Sequence, residues 1–273
     1  MEIIVPFDPT VKGLSELERE FPQVVFVNMG DVGIAVAGGS VAPHSLLDLR
    51  TTVGLAKAQG EILALLEDLG VPDPDWCEQL IRSHQQLPYG VIGGAVEHAG
   101  KGLLNWALYF LDFGRYQLPL EEGPVDYLTD VNVSYKRAAL ESIREIWSER
   151  YNEVQVHRAL KARGAVLWQR PQAVVREDRG PLSFPDMLAE RFAWGRVFGY
   201  MRIQQISQAR RNFYVLATPL IPAVLIGRII RKIFSSGRNR RWALYALPLM
   251  IVLSAFWCLG ELTGYVTGAE SFG

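Results

Sequence analysis

From Trp242 to Gly260 the chain reads WALYALPLMIVLSAFWCLG, nineteen residues without a charge. That is about the length a helix needs to cross the hydrocarbon core of a bilayer. Any fold for this chain must surround that stretch with lipid or with protein. An earlier run, FYVLATPLIPAVLIG from Phe213 to Gly227, is apolar but shorter and carries Pro219 and Pro222. It fits a kinked, an interfacial or a spanning helix. Between the two lies RIIRKIFSSGRNRRW, with six Arg or Lys from Arg228 to Arg241. Such a loop belongs in the cytoplasm or at an anionic lipid surface. The expectation is a transmembrane helix over 242–260 and an interfacial or transmembrane helix over 213–230. Two buried helices of a soluble protein are the alternative.

The remaining chain is long enough, and at 49% hydrophobic overall apolar enough, to bury one sizeable core. With 28 Lys or Arg against 29 Asp or Glu, net charge −1, no electrostatic case for nucleic acid arises. Cys77 and Cys258 lie far apart without metal-ligand spacing and imply no disulfide framework. The opening MEIIVPFDPT lacks the basic region and apolar core of a secretory signal.

Along the chain, EIIVPFD and QVVFVNM read as strands around a helical SELEREF. Residues 29–45 are Gly-rich and irregular. SLLDLRTTVGLAKAQG predicts a helix, EILALLED a buried strand, PDPDWCEQLIRSHQQ a helix with acidic residues in its first turn, and GVIGGAVEH a strand. KGLLNWALYFLDFGRYQLP predicts a helix running into a loop. VDYLTDVNVSYKRAALESI predicts a strand or loop to Asn132 and a helix from about Ser134; NEVQVHRALKARGAVLW predicts a helix, a stop at Gly164 and a strand. Strands alternating with helices imply an α/β sheet of mainly parallel strands, whose ligands bind at the carboxyl ends. Asp8 ends one such strand, and Glu67 with Asp68 ends another. Adjacent carboxylates there suit either a metal or a solvated turn and helix cap.

In order, GLAKAQGEILALLEDLGVPDPDW, GVIGGAV, TDVNVSYKRAALESI, NEVQVHRALKARGAVL and the closing LGELTGYVTG resemble the family-2 glycosyltransferases. The resemblance covers most of the chain. It implies an α/β GT-A-like nucleotide-sugar-binding sheet with helices on both faces over residues 1–205, and a membrane-associated helical region over 206–273. It further implies transfer of a sugar from a nucleotide-sugar donor to a glycan, polysaccharide or lipid-linked acceptor, with inversion. The catalytic domain would face the cytoplasm, at a bacterial inner membrane.

The chemistry explains the residue types. Displacing a nucleoside diphosphate develops negative charge on the leaving phosphate, which a carboxylate-held Mg2+ or Mn2+ neutralises. The resemblance puts that metal site at Glu67 and Asp68, but Leu69 occupies the position of the third polar group. An inverting transfer also needs a base for the acceptor hydroxyl. The register from Leu160 and Gly164 assigns it to Glu153, where the family carries Asp, with Glu149 as the choice one turn earlier. Asp8 and Arg50 are the further donor-binding candidates, Arg50 toward the diphosphate. Glu97, Asn105, Trp106 and Asn132 are the acceptor-side candidates, although aromatic residues in NWALYF also suit a core. Asn132 and Arg137 match family positions, while Asp130 replaces the usual Gly. His84, His98 and His157 have no ligand spacing among them.

The family usually opens with a further strand and helix before the strand that EIIVPFD resembles. The expectation is therefore a shortened product, or a variant with an incomplete donor pocket whose exposed sheet edge a partner protein could supply. Leu69, Asn152-Glu153 in place of Glu-Asp, and the missing unit also suit a non-catalytic membrane scaffold or partner subunit.

Overall fold

A computed structural model describes residues 1–8, 11–32, 43–204 and 206–268. Most of the Gly-rich stretch 29–45 lies outside the described residues. Strand β1 (Ile3–Phe7), helix α1 (Leu14–Glu20) and strand β2 (Val24–Asn28) form a parallel pair with a helical crossover, Ile3 opposite Val24. Helix α2 (Pro43–Lys57) packs on β1, burying Val27, Met29 and Val53. Strands β3 (Ile62–Leu65) and β4 (Gly70–Pro72) follow, then helix α3 (Trp76–Gln86) and strand β5 (Val91–His98). Helix α4 (Gly102–Phe113) and strand β6 (Gly123–Val125) lead to a 3-10 turn at Asp130–Asn132. Next come β7 (Val133–Lys136), α5 (Arg137–Glu141), α6 (Arg144–Trp147), α7 (Glu153–Ala162) and β8 (Leu167–Glu177). The chain closes with α8 (Phe184–Ile203), α9 (Gln208–Ala217), α10 (Ile221–Ser236) and α11 (Arg240–Thr267).

Two expectations are corrected. The segment from Ser134 is not helical at once: Val133–Lys136 is a strand, and the helix starts at Arg137. Strands β3 and β5 give this short, buried stretch a partner on each edge, which outweighs local helix propensity. Nor is the main sheet mainly parallel in its described registers. Its order is β3-β7-β5-β8-β4, with β6 also on β8. Strand β7 runs antiparallel to both β3 and β5. Those two are therefore parallel to each other and joined through α3, so the crossover pattern is present with one reversed strand inserted.

The chain divides into two compact units, one of Met1–Asp68, Pro72–Ala95 and Leu120–Val175, the other of Leu69–Val71, Val96–Pro119 and Arg176–Gly273. The core of unit 1 gathers Leu63, Val91, Val133, Tyr135, Trp147, Tyr151, Val156 and Leu160. Its sheet is drawn tight at the GG of VIGGAV: a Cβ on Gly94 would stand 1.9 Å from the Ala173 carbonyl oxygen. In unit 2, α8 and α11 pack backbone to backbone through glycines. A Cβ on Gly195 would meet the Trp257 oxygen at 2.0 Å, and one on Gly260 the Phe192 oxygen at 2.0 Å. The runs Gln208–Ser236 and Arg240–Thr267 are both long and apolar enough to cross a membrane.

Candidate functional site

Unit 1 gathers a chain of ionisable groups around the start of α7. Asn152 caps that helix, its side-chain oxygen accepting from the Gln155 amide at 3.1 Å. Glu153 is thereby fixed as the first helical residue, where the helix N-terminus favours an ionised carboxylate. Its side chain is 26% exposed and lies 3.9 Å from Nδ1 of His157, one turn along. The Glu153 side chain is also hydrogen-bonded to that of Asp130, at the 3-10 turn before β7. Burial pushes the Asp130 carboxyl above its ordinary range. Two carboxyl groups joined by a hydrogen bond need a proton between them. The two carboxyls share that proton.

Behind this pair the hydroxyl of Tyr135 lies 2.9 Å from that of Tyr151 and 2.9 Å from Nε2 of His157. Burial drives both phenols well above their usual range, so both stay protonated. Burial also lowers His157 to about 4, so the imidazole is neutral at pH 7. The polar chain Tyr151–Tyr135–His157 thus backs Glu153 with neutral groups. None of them supplies a cation to compensate the carboxyl pair.

Of the expected donor residues, Asp8, Glu67 and Asp68 fall at strand ends of the same unit and Arg50 on α2. Asp8, buried at the end of β1, accepts from Arg50 at 2.7 Å, so the structure joins these two as an ion pair. Glu67 and Asp68 follow β3, Glu67 half-buried and Asp68 exposed. Leu69, 36% exposed, comes next and offers no ligand atom. Among the described residues no group of three or more His, Cys, Asp or Glu side chains is gathered as a metal site. Among the described residues Glu67 and Asp68 thus offer two adjacent carboxylates, short of a full protein ligand set for Mg2+ or Mn2+.

Asn132 is fully buried. Its amide donates to the Ala95 and Ala173 carbonyls at 2.8 and 2.9 Å, and its oxygen accepts from the Trp76 indole at 2.9 Å. It pins β5, β8 and α3 together, and the space for it is what Gly94 leaves open. Arg137 donates to the Ala58 and Gly60 carbonyls beyond the end of α2. Glu149 is exposed.

The remaining acceptor candidates lie in unit 2. Both oxygens of Glu97 accept from Arg238, at 3.2 and 3.0 Å, and one also accepts from the Leu118 amide at 2.7 Å. Asn105 donates to the Lys101 and Gly180 carbonyls. Trp106 stacks on His98, ring centroids 3.8 Å apart, and on Trp242 at 5.4 Å. These three side chains are thus tied into the packing of unit 2. Asp130, Tyr135, Tyr151 and Trp76 were not singled out as site residues from sequence. The one sequence signal for the cluster was the i, i+4 spacing of Glu153 and His157.

No family model matches the chain, and no curated protein matches it. Among solved structures, the mannosyltransferase PcManGT from Pyrobaculum calidifontis, in complex with GDP-Man and Mn2+, superposes with a TM-score of 0.52. Identity is 11%, over 96% of this chain and 77% of that one. The chain has a glycosyltransferase fold. TarS from S. aureus, in complex with UDP-GlcNAc, also matches, at a TM-score of 0.46 and 12% identity over 95% of this chain and 81% of that one.

Proposed function

We propose that this protein transfers a sugar from a nucleotide-sugar donor to a lipid-linked or polysaccharide acceptor at the cytoplasmic face of a membrane, with inversion. The observation that carries the reading is the hydrogen-bonded Asp130–Glu153 pair at the head of α7, within a glycosyltransferase fold. In the reaction, the acceptor oxygen attacks the sugar carbon as its proton passes to the Glu153 carboxylate. The bond from that carbon to the diphosphate oxygen breaks, and the diphosphate leaves with the electron pair. The hydrogen bond shared with Asp130 orients the Glu153 carboxyl, and the one proton of the pair leaves one carboxylate to accept another. No step is routed through a cation, because Glu67-Asp68-Leu69 does not make a complete site.

Glu153→Gln keeps the shape and a hydrogen bond to Asp130 but removes the proton acceptor. Turnover should fall by roughly 10²–10⁴-fold, the usual weight of a general base, with donor binding unchanged by calorimetry. Full activity in that variant removes the base assignment. GDP-Man, the donor bound in PcManGT, is the first to try.

Leu69 favours a second reading, a non-catalytic membrane scaffold of the same fold. Titration with nucleoside diphosphates and sugar nucleotides, with and without Mn2+, separates the two. Tight nucleotide binding sinks the scaffold; no binding to any nucleotide sinks the enzyme.

A further inference from the structure

The helices from Gln208 to Thr267 satisfy the length and composition of membrane spans, yet unit 2 holds α11 at both ends of its apolar stretch. At the start, Trp242 stacks on Trp106 of α4, ring centroids 5.4 Å apart. Near the end, the Arg191 guanidinium lies 6.0 Å from the ring centroid of Trp257. The same guanidinium is locked to Asp112, again of α4, by bonds of 2.6 and 2.7 Å. Trp242 and Trp257 stand about 22 Å apart along the helix axis, and α4 is itself about 18 Å long at 1.5 Å per residue. Most of α11's apolar stretch therefore runs beside one helix of the protein. It is not free to cross a hydrocarbon core about 30 Å thick.

The turn before α11 is tied down as well, by Arg238 on Glu97 and on the Leu118 carbonyl. The far end is held by Arg202 on Glu261 at 2.9 Å and by Arg211 on the Tyr265 carbonyl at 2.7 Å. Helix α8, glycine-packed against α11, carries Asp186, Glu190, Arg191, Arg196 and Arg202. Taking α11 across a bilayer would take the charged half of α8 with it.

The apolar surface that remains is nevertheless large. The span-like window of Gln208–Ser236 is only 6% buried, against 39% for α11. Leu216 is 81% exposed and Leu220 66%, and Leu244, Ile251 and Leu259 are about half exposed. From Arg191 to Gly260 the chain holds eleven Lys or Arg and no Asp or Glu. Within α9–α11 the one acid, Glu261, is buried against Arg202, so the exposed charge is positive. Exposed apolar helices with exposed positive charge match an anionic lipid surface in both respects.

We propose that the segment from Gln208 to Thr267 seats this protein in one leaflet of an anionic membrane without crossing it. The apolar side chains of α9–α11 enter the acyl boundary, and Arg228, Arg231 and Arg241 meet the headgroups. The inference stands whether or not the protein moves sugar, and neither measurement below reads transfer.

Two measurements on the full chain test it. Flotation with preformed vesicles should show binding to phosphatidylglycerol–phosphatidylcholine mixtures and weaker binding to phosphatidylcholine alone. Removing Arg231 and Arg241 together by substitution with Gln should weaken binding by about fivefold for each charge, the weight of one basic residue near an anionic surface. In a Cys77→Ser background, Gln208→Cys and Ser235→Cys then place a thiol at either end of α9–α10. Both residues are exposed, and the buried Cys258 can stay. In membranes of cells expressing these variants, an impermeant maleimide should reach both thiols from one and the same side. Labelling from opposite sides overturns the proposal in favour of a span. Absence of vesicle binding, with concentration-dependent self-association instead, overturns it in favour of a second copy covering the apolar surface. Normal flotation by each cysteine variant shows that it still folds.

Discussion

Asp112, Glu97 and Glu261 in unit 2 are each met by arginine: Asp112 by Arg191 and Arg179, Glu97 by Arg238, Glu261 by Arg202. Asp130 in unit 1 is met by another acid, Glu153. Burial alone would raise the Asp112 carboxyl, but its two guanidinium partners pull it below the usual range. At Asp130 only hydrogen bonds, from backbone amides, Thr129 and Glu153, oppose burial, and its carboxyl still goes up. An arginine-paired carboxylate is satisfied and inert, and its use is to hold elements together. An acid paired with an acid holds a proton above the ordinary carboxylate range, an arrangement that stability does not require. The contrast separates packing from chemistry more sharply than burial does.

The strongest way to break it is to exchange the symptoms. Arg191→Ala leaves Asp112 with Arg179 alone and should cost about 1.5–3 kcal/mol of stability, the weight of hydrogen bonds to a charged group. The readout is the denaturant midpoint. Glu153→Gln should scarcely move that midpoint while removing turnover. If Glu153→Gln unfolds the protein and Arg191→Ala does not, the assignment of roles is reversed.

Acid provides the next test. Burial lowers His84, His98 and His157 to about 4 each. Between pH 6.5 and 4 the unfolded chain takes up protons that the folded chain refuses, so stability falls as pH falls. His84 and His157, both nearly fully buried, should each contribute roughly 3 kcal/mol over that window, and the part-exposed His98 less. The arginine-held Asp112 stays ionised there and adds nothing. His157→Gln should flatten part of the decline in melting temperature, whereas a decline unchanged in that variant would show that His157 is not buried neutral.

Local chemistry was legible in the sequence, and tertiary pairing was not. The apolar runs at Ile62–Leu65 and Val91–His98, and the α7 helix with its stop near Gly164, follow from patterning and end signals. Strand β7 was missed because VSYK runs straight into helix-forming RAALE, and only its neighbours β3 and β5 make it a strand. Glu153 was reachable through family resemblance, whereas Asp130 showed only as an acid in place of Gly. Its meaning depends on a contact with a residue 23 positions away. Glu97 looked exposed to an acceptor because its partner, Arg238, is 141 residues distant. The apolar run 242–260 was correctly read as a helix. Its surroundings depend on Trp106, Asp112 and Arg191, which no window around Trp242 contains.

The smallest effect sharpens the comparison most. A carboxyl whose folded pKa is raised contributes stability below its unfolded pKa and loses it as pH rises, because unfolding releases the proton. Asp130→Asn retains a donor for Glu153 without that dependence. The variant should therefore be slightly more stable than the parent near pH 8, with the advantage vanishing near pH 4. Paired melting curves across that range test this, and an Asn variant destabilised at all pH values would place Asp130 with the ionised, structural acids of unit 2. The same substitution should shift the acid limb of the pH profile for sugar transfer while leaving donor affinity unchanged, because the proton shared with the base is then fixed on nitrogen. A structural acid would leave that limb where it was.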